Sequence, residues 1–395
     1  MRTSRRLRTL TKYEEFVENG KTEAGMRRIA LVMYGVLLVL LLASCAGTRN
    51  AGAAVTVDYS SPVYSGVRGE QPVYTYRVLD ESLRNPAGVY TIPFTENAVE
   101  VAKATGTMRV YFMSGERYLN AIGADVSYMG DSTLVVFPDG QTMLIDGGRP
   151  EYKGILIENL HRLGIEKLDY VMISHWHIDH HGAVTYANGI LANFPVGTFI
   201  WSGIYNSNSE RNSIDNIFRK YDMKQMIVKN GDSFMIGDVK VDIYNPPEGL
   251  AGEALAETKM NNASIAAKLT YGDFRSLFCG DLYVDGEWKV IENAPVGALD
   301  TDLAKANHHG RDSSTSKEWA EAATPRVVFS ATMPYKNTIY QFSKVGARVY
   351  AEYLDDYVRV VTDGWNCEVT SSAARETDAL AVYDQLVEKI WPGTF

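Results

Sequence analysis

Four of the chain's seven histidines fall within one stretch of nine residues, Ser174-His175-Trp176-His177-Ile178-Asp179-His180-His181-Gly182. No other stretch restricts the fold as strongly. It follows directly on Leu168-Asp-Tyr-Val-Met-Ile173, a short apolar run whose β-branched and aromatic residues suit a buried strand. The imidazoles and the carboxylate therefore stand on the loop where a core strand ends. His175 and His177, one residue apart, can grip one cation from the same side, while Asp179 and His180 address a second position nearby. Two more histidines adjoin at His308-His309, leaving His161 alone. Clustering of this kind points to a two-metal site rather than to a histidine-rich surface loop.

The flanking segments supply an α/β frame. Residues 108–113 and 132–137 read as strands, and Pro138-Asp139-Gly140 is a turn into a strand at 142–145. Asp146 ends that strand before Gly147-Gly148. A helix follows, with Tyr152, Leu156, Leu160 and Leu163 on one face, Pro150 in its first turn and Gly164 at its exit. Residues 205–212 are polar and read as surface loop, ahead of a short helix at 213–221. Residues 263–270 and 274–279 form a hairpin that delivers Asp281 to a strand end. A strand at 302–307 then runs into His308-His309-Gly310. Thr315-Ser-Lys-Glu318 fits a capping box opening a helix with Trp319 and Ala323 inward. Strands near 347–350 and 357–362, and a last helix with Leu380, Tyr383, Leu386 and Ile390 on one face, close the chain.

These residues carry a resemblance. His-x-His-x-Asp-His after a strand is similar to the metallo-β-lactamase superfamily. More narrowly, Gly130-Asp-Ser-Thr-Leu-Val-Val-Phe-Pro-Asp-Gly140, Met143-Leu-Ile-Asp-Gly-Gly148, Asn261-Asn-Ala-Ser264, Cys279-Gly-Asp-Leu282 and Asn307-His-His-Gly310 resemble, in order, the hydrolase domain of the ComEC family of competence DNA-uptake proteins. The resemblance implies an α/β fold, a four-layer αβ/βα sandwich with a binuclear metal centre between strand-end loops. It implies two divalent ions, Zn or Mn, since mixed imidazole and carboxylate shells accept both. His175, His177, Asp179, His180 and Asp281 are the implied ligands, with Asp281 bridging and Asp146 bracing the histidine loop. One of His308 and His309 completes the second metal's shell and the other faces substrate; the sequence does not say which is which, and the expected ligand is His309, with His308 as the catalytic group. Asp179 is expected both to ligate and to orient the attacking water. No G-x-S-x-G elbow offers a serine alternative.

Two departures matter. Between Gly182 and Asp281 there is no histidine, where superfamily members that complete the first metal's shell usually place one. The ion at His175 and His177 is then expected to keep an open face and weaker affinity, which disfavours a lactamase. Where the ComEC family tends to show Gly-His-Pro, this chain has Met333-Pro-Tyr-Lys-Asn337.

The first part of the chain reads as targeting. Arg27-Arg28 precede an apolar run at 29–42 and then Leu42-Ala43-Ser44-Cys45, the pattern of a secretory signal. Leu-Ala-Ser-Cys resembles the bacterial lipobox, which implies cleavage before Cys45 and its lipidation. An uncleaved anchor is the other reading, although the run is short for a span of roughly 20 residues. Met26 is the expected true start. The domain reading is therefore 1–45 extension and signal, 46–107 tether and extended segment, and 108–395 hydrolase domain. Both signal readings put the domain outside the cytoplasm on the cell membrane or envelope.

Of the net charge of −9, the first 44 residues contribute +4, which leaves −13 on the rest. So acidic a body is a poor generic partner for nucleic acid. The ComEC resemblance implies a phosphodiester substrate, in nucleic acid or an envelope polymer. A phosphorylcholine-esterase-like or other envelope hydrolase and a lipid-anchored binding module without turnover are the alternatives, and no protein partner is inferred. Cys279 reads as a small buried thiol, with no spacing to support a disulfide to Cys367. Tyr59, Tyr64, Tyr74, Tyr76 and Tyr90 read as strand residues rather than a carbohydrate-stacking surface.

Overall fold

The computed structural model describes residues 72–78, 92, 94, 105–113, 130–332, 334–355 and 357–372. The chain divides into Met1–Val55 and Thr56–Phe395, and all described residues lie in the second unit. Met26, Cys45, most of the N-terminal tyrosines, Met333 and the last expected helix lie outside the described residues.

Short runs rich in β-branched and aromatic residues form the strands. In chain order these are β1 (Tyr74–Val78), β2 (Met108–Phe112), β3 (Thr133–Val136), β4 (Thr142–Ile145), β5 (Leu168–Met172), β6 (Val196–Trp201), β7 (Lys224–Ile227), β8 (Ser233–Ile236), β9 (Val239–Asn245), β10 (Ala266–Tyr271), β11 (Phe274–Phe278), β12 (Leu303–Lys305), β13 (Val327–Ser330), β14 (Arg348–Ala351), β15 (Val358–Thr362) and β16 (Cys367–Ser371). They make two sheets, ordered β1-β16-β15-β2-β3-β4-β5-β6-β7 and β14-β13-β12-β11-β10-β9-β8.

Period-two alternation assigns each strand's side chains to two different layers. Val110, Phe112, Val135 and Met172 of the first sheet meet Leu269, Phe278, Leu303 and Phe329 of the second in one apolar layer. Phe112 stacks on Phe329 there with centroids 4.2 Å apart. The alternate residues Tyr111, Leu134, Leu144 and Val171 face helices α1 (Lys153–Arg162), α2 (Ile178–Thr185) and α3 (Asn208–Tyr221). On the far side, Leu277, Ala304 and Val328 pack against α4 (Val284–Asn293), α5 (Lys317–Ala323) and α6 (Lys336–Lys344) through Val290, Trp319, Ile339 and Phe342. Each fully buried large side chain contributes about 1.5–3 kcal/mol. The order helix, sheet, sheet, helix is the α/β sandwich expected.

Two helix starts differ from expectation, while Tyr74 and Tyr76 keep the structural role expected of them. Helix α3 begins at Asn208, not at residue 213, because Ser207 caps it by accepting from Glu210 N–H, so much of the supposed loop is helical. Helix α5 is capped by Ser316, whose Oγ accepts from Trp319 N–H, while Thr315 stays outside with φ of 61°. Tyr74 and Tyr76 are structural: Tyr74 donates to Asp302 Oδ1 at 2.6 Å, and Arg326 and Arg348 cover the two rings at 4.9 and 4.7 Å. Cys279 and Cys367 are buried free thiols.

Strands β4, β5, β6 and β7 run parallel, as do β11, β12, β13 and β14, so each set ends on one edge of its sheet. Chemistry gathers at such carboxyl ends. Antiparallel β3 and β10 start at those same edges, with Thr133 opposite Ile145 and Ala267 opposite Phe278.

Candidate metal centre and cleft

Asp146 follows β4 in a left-handed conformation, φ 56°, and its carboxylate is fully engaged. Ser174 N–H donates to Oδ1 at 2.7 Å and His180 Nδ1–H to Oδ2 at 2.9 Å. A carboxylate only accepts, so the proton sits on Nδ1 and Nε2 is the corner turned to the centre. His309 repeats the device. Its Nδ1–H donates to Asp131 Oδ1 at 3.1 Å, and the Lys305 ammonium holds Asp131 Oδ2.

Four atoms then converge. His180 Nε2 and His309 Nε2 each lie 3.1 Å from Asp281 Oδ2, and Asp179 Oδ2 lies 3.4 Å from His309 Nε2 and 4.0 Å from His180 Nε2. Ligands bound to one ion at about 2.0–2.2 Å in a tetrahedron stand roughly 3.3–3.6 Å apart. The observed edges bracket that spacing. Beside them, His175 Nε2 and His177 Nδ1 face each other at 3.0 Å, close to the spacing of two ligands on a further ion. Both Nε2 corners, of His180 and His309, are buried and make no hydrogen bond. Asp131 also lies within the cluster of groups that could hold an ion, but both its oxygens are already taken.

Charge makes the same demand. Asp131, Asp146, Asp179 and Asp281 are all less than 9% exposed, and Lys305, 5% exposed, is the lysine buried among them. So many buried anions require further positive charge. Burial alone would keep His309 neutral, but Asp281 and Asp131 push it up to about 10. Burial also opposes charge on His180, yet Asp281, Asp146 and Asp179 hold it well above its usual range. In a metal-free chain protons would answer a demand that divalent ions could meet. His175 lies elsewhere in the balance: burial, then His180, hold it well below its ordinary value.

The centre opens on a cleft of about 900 Å³, a volume suited to a small-molecule ligand or one unit of a polymer. His177, Asp179, Asp281, Tyr283 and His308 form its floor. Arg149, Tyr186, Glu210, Ser213, Glu257 and Asn261 stand around them. His308 is half-buried, its Nδ1 on Ser313 Oγ, its ring 4.8 Å from Tyr283 and its Nε2 4.0 Å from Asp281 Oδ2. Burial holds its pKa down to about 4.

The structure thus brings together His175, His177, Asp179, His180, Asp281, His308, His309 and Asp146. His309 points into the ring of ligand-spaced atoms, and His308 points to the cleft. Asp131 and Lys305 were missed. Lys305 had a signal: alternation in Leu303-Ala304-Lys305 puts a lysine on the same inter-sheet face as Leu303. Asp131 stands two residues before β3, on the edge where β4 ends, which only the antiparallel register reveals.

The family model of the metallo-beta-lactamase superfamily matches residues 127–190, from before Asp131 to beyond the histidine loop. Over that stretch the chain is similar to the metallo-beta-lactamase superfamily, many of whose features its metal-ligand spacing shares. More particularly, it is 25% identical over 214 residues to ComE operon protein 3 of Bacillus subtilis (strain 168), a match covering 50% of this chain and 26% of the relative. The matched part is thus about a quarter of that relative's length. Among solved structures, the metallo-beta-lactamase fold protein YhfI from Bacillus subtilis is similar with a TM-score of 0.41 and 14% identity, over 62% of this chain and 96% of that one. Tm1679, a metal-dependent hydrolase of the beta-lactamase superfamily, follows at 0.38 and 15%, over 62% and 95%.

Proposed function

We propose that this chain is an extracytoplasmic metal-dependent phosphodiesterase. The observation that carries the reading is the ring of Asp179 Oδ2, His180 Nε2, His309 Nε2 and Asp281 Oδ2, set beside His175 and His177 at the floor of an open cleft. These six residues would hold two divalent ions, Zn or Mn, with Asp146 and Asp131 fixing the histidines. Bound there, such ions polarise a phosphoryl oxygen and bring the pKa of water toward neutrality. Asp179, in the first turn of α2, orients the attacking water through its carboxylate. His308, neutral and with Ser313 steadying Nδ1, offers its Nε2–H as a hydrogen-bond donor to the phosphoryl oxygen.

The phosphodiester preference is supported by the ComEC-like motifs and the match to ComE operon protein 3. The −13 charge of residues 45–395 favours a small phosphodiester or an envelope polymer over a long nucleic acid. A panel of bis-p-nitrophenyl phosphate, single-stranded DNA, a phosphorylcholine ester and nitrocefin tests this, with Asp179→Ala as control. The phosphodiester should turn over with wild-type chain and not with the variant. Nitrocefin hydrolysis alone would make the chain a lactamase, and bound metal without any turnover a binding module.

Placement outside the cytoplasm is supported by the Arg27-Arg28, apolar run and Leu-Ala-Ser-Cys45 sequence. Among the described residues no helix is long and apolar enough to cross a membrane. Cells fed radiolabelled palmitate should label the wild-type chain and not Cys45→Ala; equal labelling of both would rule the lipid site out.

A further inference from the structure

His308 and His309 both adopt left-handed backbone, φ 44° and 56°, and Thr315 a third such conformation at 61°. Residues with a Cβ resist this region, and three in eight residues persist only where the surroundings over-determine them. What over-determines them is one buried carboxylate. Glu287, fully buried on α4, accepts from Asn307 Nδ2 at 2.8 Å and Thr315 N–H at 2.7 Å on Oε1, and from Ser316 N–H at 2.8 Å on Oε2. Those donors flank the two histidines on both sides. Helix α4 starts three residues after Asp281, and Val284 N–H donates back to Ser313 O at 3.0 Å. Glu287 therefore ties the segment that ends in Asp281 to the segment that carries His308 and His309.

The structure assigns Glu287 as a positioning residue, whose carboxylate clamps residues 307–316 so that His309 Nε2 meets Asp281 Oδ2 and His308 faces the cleft. The assignment rests on the reading of Asp281 and His309 as metal ligands. All the groups that reach Glu287 at those distances are donors, which suits a side chain whose oxygens accept. Ser330 Oγ and Thr332 Oγ1 both donate to His309 O at 2.9 Å, so the loop is held from the far side and Glu287 sets the near one.

Glu287→Gln keeps the size of the side chain and one acceptor oxygen, but it sets an amide N–H against a backbone N–H. Cobalt(II) titration of the chelator-stripped full chain, read by d–d absorption beside far-UV circular dichroism, tests the clamp. The variant should keep its fold, bind its first cobalt equivalent roughly 10–100-fold more weakly and show an altered d–d spectrum. Glu287→Asp, charged but too short, should move the same way. Cobalt affinity within about twofold of wild type together with an unchanged spectrum would overturn the assignment. Should Glu287→Gln not fold, Asn307→Ala removes one arm of the clamp from the other side. The same loss is expected there, and wild-type binding and spectrum would again overturn it. A wild-type chain that binds cobalt but cleaves no phosphodiester defeats the proposed function and leaves this test intact.

Discussion

Replacing Asp281 with asparagine is expected to lower phosphodiester turnover by roughly 10³-fold, about 4 kcal/mol of transition-state stabilisation. The same change should abolish the chelator sensitivity of thermal unfolding. Asp281 Oδ2 is the corner shared by His180 and His309 at 3.1 Å, and Oδ1 lies 3.5 Å from the Lys305 ammonium. An amide removes the anionic corner and points its N–H₂ at one of those nitrogens. In the wild-type chain, an ion present at 100 times its dissociation constant adds about 2.7 kcal/mol of stability. Chelation should therefore lower the unfolding midpoint by on the order of 5 °C, and Zn or Mn should restore it. A variant with undiminished turnover, or a wild-type midpoint indifferent to chelator, would remove the basis of the metal centre.

Gly130→Ala should be the most damaging small substitution, costing about 3 kcal/mol and disabling the site. A Cβ at residue 130 would fall 1.8 Å from Asp179 O and 2.4 Å from Gly148 Cα. Neither neighbour can yield freely. Asp179 belongs to the first turn of α2, and Gly148 O accepts from Ala183 N–H at 2.9 Å within the same helix. Relief of the clash must displace Asp179 and so spread the ring of ligand-spaced atoms. Gly154→Ala is the control, because a Cβ there meets nothing within 4 Å and a helix gains roughly 0.5–1 kcal/mol from alanine over glycine. Urea midpoints should fall for the first variant and hold or rise for the second. Equal midpoints would show that residue 130 does not press on the histidine loop.

Much of this was legible along the chain because it is local. The hairpin before Asp281, the strand before His175 and the helix after Pro150 each follow from periodicity and turn chemistry, and the structure has the last two within a residue and the hairpin's first strand three residues late, after a 3-10 turn at Asn261–Ala263. Caps were harder. Ser207 and Ser316 cap helices that the sequence reading started five residues late or capped one residue early, because neighbouring polar residues compete for the same role and only packing selects one.

That His175, His177, Asp179 and His180 stand together could be read along the chain, since their spacing on one strand-end loop leaves little for the rest of the fold to decide. Only packing brings Asp131 to His309 across 178 residues of sequence, encloses the Lys305 ammonium among the carboxylates, and turns His309 rather than His308 inward. Those facts depend on sheet register and on which edge each strand leaves from. Neither is encoded in any short stretch; both emerge when two sheets are pressed together by a shared apolar layer.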